Sequence, residues 1–169
     1  MCGIVGYIGD QNASDILVDG LKKLEYRGYD SAGVAVFTQP GIEVVRSKGR
    51  LADLEQKMAS VGKPEGICGI GHTRWATHGE PSDVNSHPHS SKNVSLVHNG
   101  IIENYLPLRQ MLISEGYSFQ SETDTEVVVN LIDSFYHGDP LEAIREAVLR
   151  LEGSYALGII FKDFSDRIY

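Results

Sequence analysis

Ala32-Gly33-Val34-Ala35-Val36-Phe37-Thr38, then Gln39-Pro40-Gly41, then Ile42-Glu43-Val44-Val45-Arg46-Ser47: two runs rich in β-branched residues flank a Pro-Gly turn. That pattern predicts an antiparallel hairpin over 32–38 and 42–47. On its N-terminal side a helix is expected over 13–25, with Asn12 as N-cap and Ile16, Leu17, Leu21 and Leu24 on one face. Before it, the apolar run 3–8 ends at Gly9-Asp10 and predicts a buried strand. On the other side, 51–61 is amphipathic and helical, and Pro64-Glu65-Gly66 turns the chain into a strand over 67–72.

The stretch 73–93 breaks this rhythm. It holds Gly79, Pro81, Asn85, Asn93, several serines and three histidines without an apolar period, and a loop of that length is usually functional. A strand follows over 94–98, then helices near 105–115, 124–136 and 140–151, a strand over 155–161 and the start of another at 167–169. Strand pairs alternating with helix pairs predict an α+β arrangement of two sheet layers covered by helices. Neither an internal repeat nor a linker interrupts 1–169, so one domain is expected. Because the chain stops inside a strand-like segment, it is read as a fragment cut near its C-terminal end.

Composition narrows the partners. Hydrophobic residues make up 41% and charged residues 22% of the 169, as in a globular chain with a proper core. Fifteen Lys and Arg against 23 Asp and Glu leave a net charge of −8, which argues against a nucleic-acid surface. No run approaches a membrane span or a secretory signal. The two cysteines, Cys2 and Cys68, do not make a disulfide framework, so a cytoplasmic protein with reduced thiols is expected.

Cys2 becomes the N-terminal residue once Met1 is removed, and its α-amine, with a pKa of about 8, can then serve as a base for its own thiol. By position alone it reads more readily as a small residue opening a buried strand. Tyr26-Arg27-Gly28-Tyr29-Asp30-Ser31-Ala32-Gly33 is polar and glycine-rich where a helix meets a strand. Gly71-His72-Thr73-Arg74-Trp75-Ala76-Thr77-His78-Gly79 opens the long loop with a cation, an aromatic ring and hydroxyls. His98-Asn99-Gly100 is expected to end a strand, where an Asn amide and a Gly N–H can converge on an oxyanion. Ser121-Glu122-Thr123-Asp124-Thr125-Glu126 reads as a capped helix start. Singly, each has a plain structural reading as loop glycine, solvated Arg, turn Asn or N-cap. His72, His78, His87 and His89 with Cys68 nearby match no standard zinc spacing, and no metal is expected. Cys68 reads as a small buried hydrophobe.

Together with Met1-Cys2-Gly3-Ile4-Val5-Gly6, these motifs closely resemble the class II glutamine amidotransferases, whose amidase domains are N-terminal-nucleophile hydrolases. The resemblance runs essentially the whole chain. Within that group, Arg27 to Gly33 and His72 to Gly79 are similar to the glucosamine-6-phosphate synthases, and the short connection 9–13 is similar to bacterial members. Amidophosphoribosyltransferases usually carry Tyr-Ser where Trp75-Ala76 stands here. The resemblance implies a four-layer αββα sandwich and a set of roles. Cys2 matches the nucleophile and Asn99 with Gly100 the oxyanion hole. Arg74 matches the clamp on the substrate α-carboxylate and Asp124 the partner of its α-ammonium. Trp75, Thr77 and His78 lie in the glutamine-binding stretch, and Gly28 in the backbone approaching the nucleophile. The implied substrate is L-glutamine, with no cofactor. The implied partner is a C-terminal sugar-phosphate isomerase region of a homodimeric full-length enzyme, which passes ammonia to fructose 6-phosphate. Two alternatives stand beside this: another class II amidotransferase of the amidophosphoribosyl type, and a non-catalytic structural piece.

Overall fold

The computed structural model describes residues 2–76 and 79–169. The hairpin is present as β2 (Ser31–Thr38) and β3 (Gly41–Lys48), in register from Ser31 opposite Lys48 to Thr38 opposite Gly41. Two more antiparallel strands, β1 (Gly3–Ile8) and β4 (Cys68–Arg74), complete a four-stranded sheet ordered β1-β4-β2-β3. A second antiparallel sheet is ordered β5-β6-β7, from β5 (His89–Ser90), β6 (Val94–Ile102) and β7 (Gly153–Phe161).

Strand alternation sorts the side chains into layers. From the first sheet, Ala32, Val34, Val36 and Val45 pack with α1 (Ala13–Lys22) and α2 (Leu51–Val61). Ala35, Cys68 and Ile70 point the other way and meet Val97 and Ile160 of the second sheet. On that sheet's far face, Leu96, Ile159 and Phe161 pack against α3 (Tyr105–Ser114), α4 (Asp124–Ser134) and α5 (Pro140–Val148). The order helix, sheet, sheet, helix is the expected αββα sandwich. Cys68 is a buried member of the inter-sheet layer, as expected. Each fully buried Leu or Ile in these layers contributes roughly 1.5–3 kcal/mol over exposure.

Several boundaries differ from the sequence expectation. The first helix ends at Lys22 and gives way to a 3-10 turn, Glu25–Arg27. Its buried face is Leu17, Val18 and Leu21, with Val18 rather than Ile16 turned inward, while Asn12 caps as expected by accepting from the Ser14 N–H at 2.9 Å. Thr73 and Arg74 belong to β4 rather than to the loop, because they still pair with Gly3 and with β2. Asn99 and Gly100 lie inside β6, not at its end, since pairing with β7 continues to Ile102 opposite Gly153. Asn and Gly are weak strand formers, so cross-strand pairing decides here. Residues 167–169 form no strand, yet Tyr169 exchanges two 2.9 Å backbone hydrogen bonds with Ile159.

Candidate active site

The inter-sheet layer is apolar at Ile70 and Val97 and turns polar towards one end. Two residues further along each strand on the same face stand His72, then Arg74, on β4 and Asn99 on β6. Cys2 precedes β1 with the parity of Ile4, which faces the same layer, and the next residue, Gly3, pairs with Thr73. The N-terminus of α4 lies against this end of β6, where the Ile102 N–H donates to Asp124 Oδ2 at 3.0 Å. Residues 2, 74, 75, 99, 100 and 124 therefore line one cavity of about 440 Å³. Gly28 does not line it. Its backbone, at φ 73°, lies against the Trp75 ring, which a Cβ there would approach to 3.1 Å, and it is Arg27 that reaches the cavity. Thr77 and His78 lie outside the described residues.

The Cys2 sulfur, half-buried, accepts from the Trp75 N–H at 3.2 Å. That peptide is anchored in turn by Asp30, whose Oδ2 accepts from the Ala76 N–H at 2.5 Å. Arg74 is 4% exposed, and its Nη2 donates to the Gly79 carbonyl at 3.2 Å. Burial lowers the guanidinium pKa, opposed by the charges of Asp30, Cys2 and Asp124. Asp124 is also 4% exposed, with Oδ1 3.9 Å from His98 Nδ1. A buried cation and a buried carboxylate lining one cavity fit a zwitterion, which carries one charge for each.

Gly100 has φ 118°, and a Cβ there would sit 2.1 Å from the Ser154 carbonyl oxygen. Only glycine fits, which leaves the backbone beside Asn99 bare to the cavity. The Asn99 side chain is held by His72, whose Nε2 lies 2.8 Å from Asn99 Oδ1. His72 stacks on His87 at 4.2 Å, and His87 lies 5.1 Å from the ring of His89. All three are buried. Desolvation pushes His72 down to about 4 and His89 to about 3, and His87 well below its ordinary value. The stack is therefore neutral at pH 7. Among the described residues no group of three or more His, Cys, Asp or Glu is arranged to hold a metal ion. The rings bond to hydroxyls and to Asn99 instead: His87 Nε2 and His98 Nδ1 lie 3.1 and 3.0 Å from Thr125 Oγ1, and His89 Nε2 lies 3.1 Å from Thr123 Oγ1.

Arg27, His87, His98, Ile101, Thr123 and Thr125 also line the cavity and were not singled out as site residues from the sequence. His87 drew notice only as a metal ligand, and His98 only as the residue before Asn99 and Gly100. Thr123 and Thr125 sat in a segment read as a helix cap, and that much holds: Thr123 Oγ1 accepts from the Glu126 N–H at 3.3 Å.

The family model described as "Glutamine amidotransferase domain" matches residues 72–168. The glutamine–fructose-6-phosphate aminotransferase [isomerizing] of Caldanaerobacter subterraneus subsp. tengcongensis is 59% identical over 170 residues, covering 99% of this chain and 28% of that protein. A namesake from Thermus thermophilus is 53% identical, covering 98% and 28%. The chain thus spans under a third of the length of these relatives. Among solved structures, the glutamine phosphoribosylpyrophosphate amidotransferase from B. subtilis, complexed with ADP and GMP, superposes with a TM-score of 0.81 at 29% identity, covering 96% of this chain and 35% of that one. The allosteric regulatory enzyme of purine biosynthesis gives 0.82 at 29%, covering 96% and 36%. With more than half of its length matched by the family model, and a relative 59% identical over 99% of it, the chain belongs to the glutamine amidotransferase domain family.

Proposed function

We propose that this chain hydrolyses the side-chain amide of L-glutamine, as the glutaminase part of a glutamine–fructose-6-phosphate aminotransferase. The observation that carries this is the convergence of Cys2, Arg74, Asn99, Gly100 and Asp124 on one cavity from three elements and the segment before β1. Identity of 59% to a protein of that name, against 29% to the phosphoribosylpyrophosphate enzyme, favours it over the amidophosphoribosyl alternative.

After removal of Met1, the free α-amine of Cys2 takes the thiol proton, and the sulfur attacks the amide carbon of glutamine. Arg74 binds the α-carboxylate and Asp124 the α-ammonium, so the amide projects towards Cys2. The tetrahedral oxyanion is held by Asn99 Nδ2 and the Gly100 N–H, two donors fixed before the charge develops. The proton on the amine passes to the leaving nitrogen. Ammonia departs, a γ-glutamyl thioester remains, and water releases glutamate and the thiol. Trp75 borders the substrate and Gly28 supports Trp75, while the family resemblance assigns Thr77 and His78 to glutamine binding. No step calls for a metal or organic cofactor. In the full-length enzyme, a homodimer, a C-terminal sugar-phosphate isomerase region passes the ammonia to fructose 6-phosphate. Both cysteines are free thiols, in keeping with a cytoplasmic location.

The α-amine is the point most open to test. A Met-capped Cys2 has an amide nitrogen, which accepts no proton, and a thiol of pKa about 8.5 is only a few per cent thiolate at neutral pH. Mass spectrometry separates processed from Met1-retaining chains. Processed chain is expected to hydrolyse glutamine and to be labelled at Cys2 by a glutamine-like electrophile, and the retained form to do neither. Equal activity of the retained form refutes the amine as base, and labelling confined to Cys68 refutes the nucleophile.

A further inference from the structure

The histidine stack beside the cavity has no part in the chemistry above, yet it reaches Asn99. A carboxamide oxygen only accepts hydrogen bonds, so the 2.8 Å contact with Asn99 Oδ1 requires the His72 ring proton to be on Nε2. The rest of the stack fixes that ring. His87 Nδ1 accepts from the His98 N–H at 3.3 Å, so in neutral His87 the proton is on Nε2 and is donated to Thr125 Oγ1 at 3.1 Å. His87, held at both nitrogens, lies flat against His72. We propose that His72 is a positioning residue: its Nε2–H holds the Asn99 carboxamide by the oxygen, so that the Nδ2 donor is presented to the cavity and the carbonyl is kept away from the developing oxyanion.

This rests on the reading of Asn99 as an oxyanion donor. An amide is nearly symmetric in shape, so sterics alone do not choose which end faces the cavity. The wrong orientation would aim a carbonyl dipole at the negative oxygen. A neutral, immobile imidazole with a defined tautomer makes the choice before substrate arrives; the low His72 pKa keeps the ring uncharged throughout the neutral range, and its hydrogen-bond partner sets the tautomer.

Kinetics of glutamine hydrolysis by the processed chain separate this inference from the reading beneath it. Asn99→Ala is expected to lower kcat by roughly 100- to 1000-fold. His72→Phe keeps the ring but has no donor, and His72→Asn places its amide nitrogen at the Nδ1 position. Both are expected to lower kcat by about tenfold or more with the glutamine KM within about twofold, as for loss of an interaction specific to the transition state. His72→Gln places a donor where Nε2 stood and is expected to recover most of the turnover. In an Asn99→Ala background His72→Phe is expected to do nothing further. A folded His72→Phe with full kcat, beside an impaired Asn99→Ala, overturns the positioning role and leaves the oxyanion donor standing. Unchanged turnover in Asn99→Ala overturns both. Should the His72 variants fail to fold, long-range ¹H–¹⁵N correlation of the ring nitrogens in the unsubstituted chain decides: a proton on Nε2 supports the inference, and one on Nδ1 overturns it.

Discussion

Acidification from about pH 7.5 to about pH 5.5 should unfold this protein far more readily than loss of surface ion pairs would. His72, His87 and His89 are buried with pKa values of about 4, well below normal and about 3, against 6.5 for an exposed imidazole. A depressed folded-state pKa stabilises the protein fully above the unfolded value, and that stabilisation is lost as the pH falls from 6.5 towards the folded values. One unit below 6.5, each unfolded imidazole binds about nine-tenths of a proton and each buried one almost none. The loss is about 1.4 kcal/mol per ring, or about 4 kcal/mol for three. Domains have only about 5–15 kcal/mol in total. With a urea slope of about 2 kcal/mol per molar, the midpoint should fall by about 2 M. His89→Gln keeps an amide donor for Thr123 without a titrating group, so it should reduce the pH dependence by about a third. Urea titrations at the two pH values check this. A midpoint that moves by less than about 0.3 M would show that these rings gain protons in the folded state and would refute the neutral stack.

Two further outcomes bear on the cavity. Arg74→Ala should raise the glutamine KM by roughly 10- to 100-fold, the equivalent of a buried charged hydrogen bond at about 1.5–3 kcal/mol; an unchanged KM in a folded variant removes the clamp. Gly100→Ala forces a Cβ to 2.1 Å from Ser154 O at φ 118°, so thermal unfolding should shift down by roughly 10 °C for about 3 kcal/mol of strain; an unshifted Tm contradicts the backbone conformation.

Local pattern carried most of the fold. The β2–β3 hairpin, the Asn12 cap, the strand at Gly3–Ile8 and the helices at 51–61, 105–115 and 124–136 follow from periodicity and turn residues, which act over a few neighbours. The polar motifs around Arg27, Arg74, Asn99 and Asp124 stood out because glycine, asparagine and charge interrupt apolar runs, and the resemblance turned them into one hypothesis. What local pattern missed lay where distant segments pair. Arg74 looked like loop and Asn99 like a strand end, since their strand neighbours, Ser31 on β2 and Ala156 on β7, are far away along the chain.

The sequence by itself determined most of the helices and strands and which faces are apolar, and through the family resemblance it grouped Cys2, Arg74, Asn99, Gly100 and Asp124 as one proposed site. Only the tertiary structure decided the state of the histidines. His72, His87 and His89 come from two strands and a loop. Spacing left a metal site as the only joint reading to weigh, because spacing says nothing of what faces an imidazole. Stacking the two sheets removed water from the rings, made the neutral form the stable one, and set the Thr123 and Thr125 hydroxyls and the Asn99 amide within hydrogen-bond distance of them.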